Sequence, residues 1–161
     1  MMKQGGFIVT LLAMMFLSGC GHSETNAIYL LPEGYTGSAI AVYNVEGAPV
    51  LTYEGDFAVY RINEDGYFAT SLPDMQYGTV TDRYYYVDPA GNRTPIDPNC
   101  IHLFGTGAVS TDKVDLVYTG IEVTDSCSEE FANSTENFSE EPKMEILNKV
   151  AKKFYGVGLQ P

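Results

Sequence analysis

Turn signals break up the chain between Pro32 and Asn92 into short segments that favour strands over long helices. Pro32-Glu33-Gly34, Glu46-Gly47-Ala48-Pro49, Asn63-Glu64-Asp65-Gly66 and Asp88-Pro89-Ala90-Gly91-Asn92 each combine residues that preset φ, accept positive φ or bond their own backbone. The segments between them are rich in Val, Ile, Thr and aromatic side chains, which suit a pleated, half-buried surface. Twelve tyrosines, eight phenylalanines and no tryptophan reinforce that preference. Strands are expected at Ala27–Leu31, Gly37–Val45, Phe57–Ile62, Tyr67–Ser71, Gly78–Val87, Arg93–Ile96, Ile101–Phe104 and Val114–Val123. The expected fold is mainly β, a small antiparallel β-sandwich over residues 27–123.

The period changes near the end. Ile146, Leu147, Val150, Ala151, Phe154 and Tyr155 recur at helical spacing, so residues 142–156 read as one C-terminal amphipathic helix. Ser139 is the candidate N-cap and Gly156 the stop, with Lys149, Lys152 and Lys153 towards the negative end of the dipole. The apolar stripe either docks on the sheets or meets a membrane or partner, and docking is favoured. Residues 124–141 are acidic and poor in aliphatics, and read as a linker.

The first twenty residues carry an address. Lys3 precedes an apolar run from Phe7 to Leu17, too short for a comfortable membrane span, and small residues lead into Cys20. Leu17-Ser18-Gly19-Cys20 resembles the lipobox of bacterial lipoproteins. That resemblance implies cleavage of residues 1–19, acylation of Cys20 and a domain held outside the cytoplasm on the cell membrane or outer membrane. Gly21–Asn26 would then be a short tether reaching about 20 Å. The implied partner is the membrane, through lipid on Cys20; a binding role at the envelope would add an envelope protein.

A formal charge of −12, which becomes more negative once Lys3 is removed, argues against nucleic acid as a partner. It suits a divalent cation or a basic partner, and it equally serves solubility. Export favours an oxidised Cys100–Cys127 pair; two buried thiols are the alternative. Zinc is disfavoured because only His22 and His102 could complete a thiolate site.

Catalytic signatures are sparse. The sequence has no nucleophile elbow, His-Glu-x-x-His, phosphate loop or dinucleotide fingerprint, so no catalytic residue, metal or cofactor is assigned. His102, with Asp97 and Cys100 near it in sequence, is the acid–base candidate for a small hydrolase, although a histidine beside an apolar strand is more often structural. Asp88, Asn92 and Asp97 could offer oxygen ligands to calcium, and the same residues also favour turns. Gly105-Thr106-Gly107-Ala108 reads as a flexible connection. The run Tyr84-Tyr85-Tyr86 is the candidate contact patch, with Tyr84 and Tyr86 on one face of a strand and Tyr85 on the other.

Three pieces, Leu31-Pro32-Glu33-Gly34-Tyr35-Thr36-Gly37, Glu46-Gly47-Ala48-Pro49 and Tyr84-Tyr85-Tyr86-Val87-Asp88 with Gly91-Asn92-Arg93-Thr94, resemble an uncharacterised family of bacterial lipoproteins, a domain of unknown function. The resemblance spans about Ile28–Gly107 and implies an all-β envelope domain without transferring an active site. The turn pattern is more distantly similar to transthyretin-like sandwiches. Together these readings point to a lipid-anchored, non-catalytic binding or structural module. The alternatives are an extracellular cation or small-ligand carrier and a small envelope hydrolase.

Overall fold

The computed structural model describes residues 23–135 and 140–159. Among these residues nine strands form two sheets, with one long helix behind the second. The strands are β1 (Ala27–Pro32), β2 (Gly37–Tyr43), β3 (Thr52–Glu54), β4 (Phe57–Arg61), β5 (Tyr67–Ala69), β6 (Arg83–Val87), β7 (Arg93–Pro95), β8 (Ile101–Ser110) and β9 (Asp115–Val123). Helix α1 is the single turn Glu129–Ala132, and α2 is Glu140–Tyr155. The front sheet runs β3-β4-β1-β6-β7 and the back sheet β5-β2-β9-β8.

The mainly β sandwich matches the sequence pattern, but both sheets are mixed rather than antiparallel throughout. Strand β1 lies parallel to both β4 and β6, and β2 lies parallel to β5. The hairpins β3–β4, β6–β7 and β8–β9 pair with sequence neighbours. Elsewhere consecutive strands pass to opposite sheets. Thus Tyr67–Ala69 does not return beside Phe57–Arg61; it joins β2 in the back sheet. The expected strand from Gly78 is regular only over Arg83–Val87, and Ile101–Phe104 extends through the glycines to Ser110.

Packing explains this division. Between the sheets, Tyr29, Tyr43 and Tyr60 interleave with Ala27, Ala39, Ala41 and Ala58. Large rings opposite small side chains fill the gap at crystal-like density. Strand β2 is buried on both faces, because Ile40 and Val42 point away from that core towards α2. There they meet Ile146, Leu147, Val150 and Ala151, so the helical stripe docks on the back sheet. Tyr155 pins its end, donating its hydroxyl to the Asn44 carbonyl at 3.0 Å and accepting from the Glu46 amide at 3.0 Å. The Ser139 cap lies outside the described residues.

Among the described residues the outer face of the front sheet has no covering layer, yet Ile28, Leu30 and Val59 are buried there. Arg93 on β7 grips Glu54 on β3 in a bidentate pair at 2.7 and 2.5 Å. In a flat sheet those edge strands would stand about 19 Å apart, beyond the reach of the two side chains. The sheet therefore coils until its edges close over the small apolar cluster. Within the segment 124–135, α1 is held against η1 (Pro98–Cys100), where Ser128 donates its amide to Asn99 at 3.0 Å. Cys100 and Cys127 are disulfide-bonded beside it.

Candidate functional site

Between β1 and β4 of the front sheet and β8 and β9 of the back sheet lies a hollow of about 140 Å³. Its inner wall is Tyr29 on β1 and Tyr60 on β4. The back sheet opposes them with Leu103, Thr106 and Thr119 instead of the isoleucines and valines found deeper in the core. A β-bulge produces that change. The pairing slips between Leu103 and Gly105, and Gly105 takes φ +80°, a region that favours glycine. The extra residue, Phe104, turns to the helix side, where the Lys143 ammonium sits 5.0 Å from its ring centre.

The third wall is the segment before β6. Thr79 exchanges backbone hydrogen bonds with Ser23 and Thr25 at 2.8 and 3.0 Å, tying residues 76–82 to the start of the described chain. This approach needs Gly78, because a Cβ there would collide with the Ser23 backbone. Thr81 donates its hydroxyl to Asn26 at 2.6 Å. Asp82 completes the clasp: Oδ1 accepts from the Thr25 hydroxyl at 2.5 Å and from the Ala27 amide at 2.8 Å.

Asp82 brings a carboxylate to the hollow's lining. Burial raises its carboxyl above the usual range, and the bonds from Thr25 and Ala27 partly oppose that rise. Four phenols stand nearby. Tyr29 meets Tyr60 edge-on at 5.0 Å and Tyr84 at 5.4 Å, while the Tyr43 and Tyr60 hydroxyls are 2.5 Å apart. All four are held above the ordinary tyrosine value, chiefly by burial, with the negative field of Asp82 contributing to each.

The mouth is apolar. Five large hydrophobic side chains are prominently exposed among the described residues, and three of them, Tyr77, Val80 and Leu103, line this opening. A shallower hollow of about 560 Å³ continues outward, sharing Val80, Asp82 and Leu103, with Ile96, Pro98 and Ala132 of α1 further along its wall.

The sequence candidates fall elsewhere or apart. Tyr84 and Tyr86 do face one side and Tyr85 the other, but this divides the proposed contact patch. Tyr84 and Tyr86 pack on the inter-sheet core, and Tyr85 lies over Ile28 and Leu30 on the outer face. Tyr86 also donates its hydroxyl to the Tyr35 carbonyl at 3.1 Å. His102 is packed away rather than set in a cleft, 6% exposed with its ring 6.0 Å from Phe131. Asp97 caps η1 through the Asn99 amide at 2.9 Å, and Asp88 accepts from Asn92. These acids are engaged separately in turns, so the structure does not bring Asp88, Asn92 and Asp97 into one calcium site. No group of three His, Cys, Asp or Glu side chains converges among the described residues. Cys20 and His22 lie outside the described residues.

Sequence reasoning missed Asp82, Tyr29 and Tyr60. The available signal is a carboxylate at the head of a tyrosine-rich strand.

Comparisons with known proteins place the chain in a group without an assigned activity. The profile of a family of unknown function, DUF6843, matches residues 23–131. A crystal structure of a Bacillus anthracis protein, provisionally called a lipoprotein, is 35% identical with a TM-score of 0.74. That match covers 82% of this chain and 98% of the other. No functionally curated protein matches the chain.

Proposed function

We propose that this chain, which belongs to the DUF6843 family, is a lipid-anchored envelope protein whose folded domain is a non-catalytic binding module. The hollow between the sheets is its ligand site. The observation carrying this reading is the gathering of Tyr77, Val80 and Leu103 at a mouth that leads to Asp82. Exposed apolar groups scattered singly need no explanation, whereas a cluster around a concave site with one convergent charge is the usual anatomy of small-ligand recognition.

Support for the anchor comes from Lys3, the apolar run and Leu17-Ser18-Gly19-Cys20, together with the lipoprotein designation of the Bacillus anthracis neighbour. No described helix is long and apolar enough to cross a membrane. Acyl chains on Cys20 would hold the domain stably, since each buried methylene contributes about 0.8 kcal/mol and two or three chains suffice. A catalytic reading finds less support, because His102 is enclosed by packing.

The test has two arms. Intact mass and fractionation of wild type and Cys20→Ser should show acylation and membrane retention only in wild type; an unmodified Cys20 in membrane-bound protein would refute the anchor. Leu103→Trp should plug the mouth and abolish ligand-induced shifts in a fragment screen by NMR. Fragment binding confined to other surfaces would refute the site.

A further inference from the structure

We propose that the hollow receives a small organic cation, an alkylammonium group, with Asp82 as its counter-ion and the rings of Tyr29 and Tyr60 as its inner wall. This deepens the ligand-site reading and rests on it. Three observations on the molecule carry it.

Among the described residues, Asp82 is the only charged one lining the inner hollow. Its Oδ1 receives two donors, whereas Oδ2 accepts no hydrogen bond from the described residues. A half-buried carboxylate is costly to hold ionised without a compensating charge. The adjacent cation in sequence, Arg83, is turned to the outer face, where its guanidinium lies 3.9 Å from the Phe57 ring centre. No ion pair reaches Asp82 among the described residues. The site therefore presents negative charge that the described residues leave unbalanced.

The remaining lining suits an ammonium carrying carbon. Tyrosine rings attract cations through their π electrons, and Met75, Val80 and Leu103 offer apolar contact. A strongly hydrated metal ion would need several oxygen ligands, and the lining supplies one carboxylate. An anion would be repelled. The volume, about 140 Å³, compares with a cavity on the order of 150 Å³ that admits benzene. A small quaternary or primary ammonium fits, and a longer substituent can lie in the outer hollow through the shared Val80, Asp82 and Leu103 boundary.

The experiment uses the full chain in phosphatidylglycerol nanodiscs, whose headgroups carry no ammonium. Tetramethylammonium, tert-butanol and pivalate, close in shape and differing in charge, are titrated while amide shifts are followed. The expected result is that tetramethylammonium shifts Thr25, Gly105 and Gly120 and binds at least tenfold more weakly to Asp82→Asn, with tert-butanol unaffected by that change. Asp82→Asn retains an acceptor for Thr25 and Ala27, and circular dichroism checks its fold. Tert-butanol binding as tightly as tetramethylammonium, or indifference to Asp82→Asn, would overturn cation recognition while leaving the ligand site standing. Failure of all three probes to shift the hollow would overturn both. Repeating the titration in phosphatidylcholine nanodiscs separates the sources. Weakened probe binding would assign a lipid headgroup as the cation, and unchanged binding a free amine; either supports the proposal.

Discussion

Replacing Asp82 separates its two roles, acceptor and charge. Asp82→Ala removes the acceptor, stranding the Ala27 amide in a residue that is 1% exposed. A buried donor left unsatisfied costs about 1–3 kcal/mol. The Thr25 hydroxyl can rotate to another partner and should add little. Asp82→Asn keeps a carbonyl oxygen for both donors and discards the charge. The folded-state value of Asp82 is raised by burial, so the native protein binds this proton more readily than the unfolded chain. Stability from this group is thus greatest in acid and is lost as pH rises from the unfolded carboxyl value, about 3.9, through the raised folded one. Asp82→Asn should therefore equal or exceed wild type in stability at pH 7, with the advantage shrinking towards pH 4. Asp82→Ala should be less stable than Asp82→Asn at both. Urea unfolding of the three proteins at the two pH values measures this. If Asp82→Asn were as destabilised as Asp82→Ala at pH 7, the charge would be stabilising and the account of an uncompensated carboxylate would be wrong.

Three other outcomes follow from the packing. Leu147→Ala, at a fully buried site between α2 and the back sheet, should cost about 2–5 kcal/mol by thermal melting. Cys127→Ser should cost roughly 3–4 kcal/mol on the chain-entropy model, with amide exchange rising first in residues 124–132; uniform exchange across the domain would show that the bond does not act locally on α1. Arg93 holds the Glu54 carboxyl below its usual value. The stability from this pair is present above the unfolded carboxyl value and lost as pH falls through the depressed one. Arg93→Leu should return the Glu54 titration, followed by carbon-detected NMR, to the ordinary range.

How much of this was legible in the sequence depends on the range of the interactions involved. Turns at Pro32–Gly34, Asn63–Gly66 and Asp88–Asn92 announce themselves through local backbone preference, and strand alternation separates Tyr85 from Tyr84 and Tyr86. Helix α2 shows its buried stripe because Ile146, Leu147, Val150 and Ala151 repeat at helical spacing. Sheet membership has no such local signature. Whether Tyr67–Ala69 turns back on β4 or crosses to β2 is decided by which side chains fill the space between layers. The bulge at Gly105 looks, in sequence, like the end of a strand. The hollow was the least legible feature, since it forms only when residues 76–82 meet residues 23–27, more than fifty positions earlier.

That meeting has a mechanical consequence. Thr25 lines the hollow, Ser23 and Glu24 pair with Thr79 beside it, and, if Cys20 is acylated as proposed, all three are also the last links of the leash to the bilayer. Any load on the leash passes first through the bonds between Ser23, Thr25 and Thr79, before it reaches β1. Tension on the anchor would thus deform the mouth while leaving the sandwich intact, and a ligand bridging Asp82 to the opposite wall would stiffen the joint. Position at the membrane and occupancy of the hollow would then act as two ends of one lever.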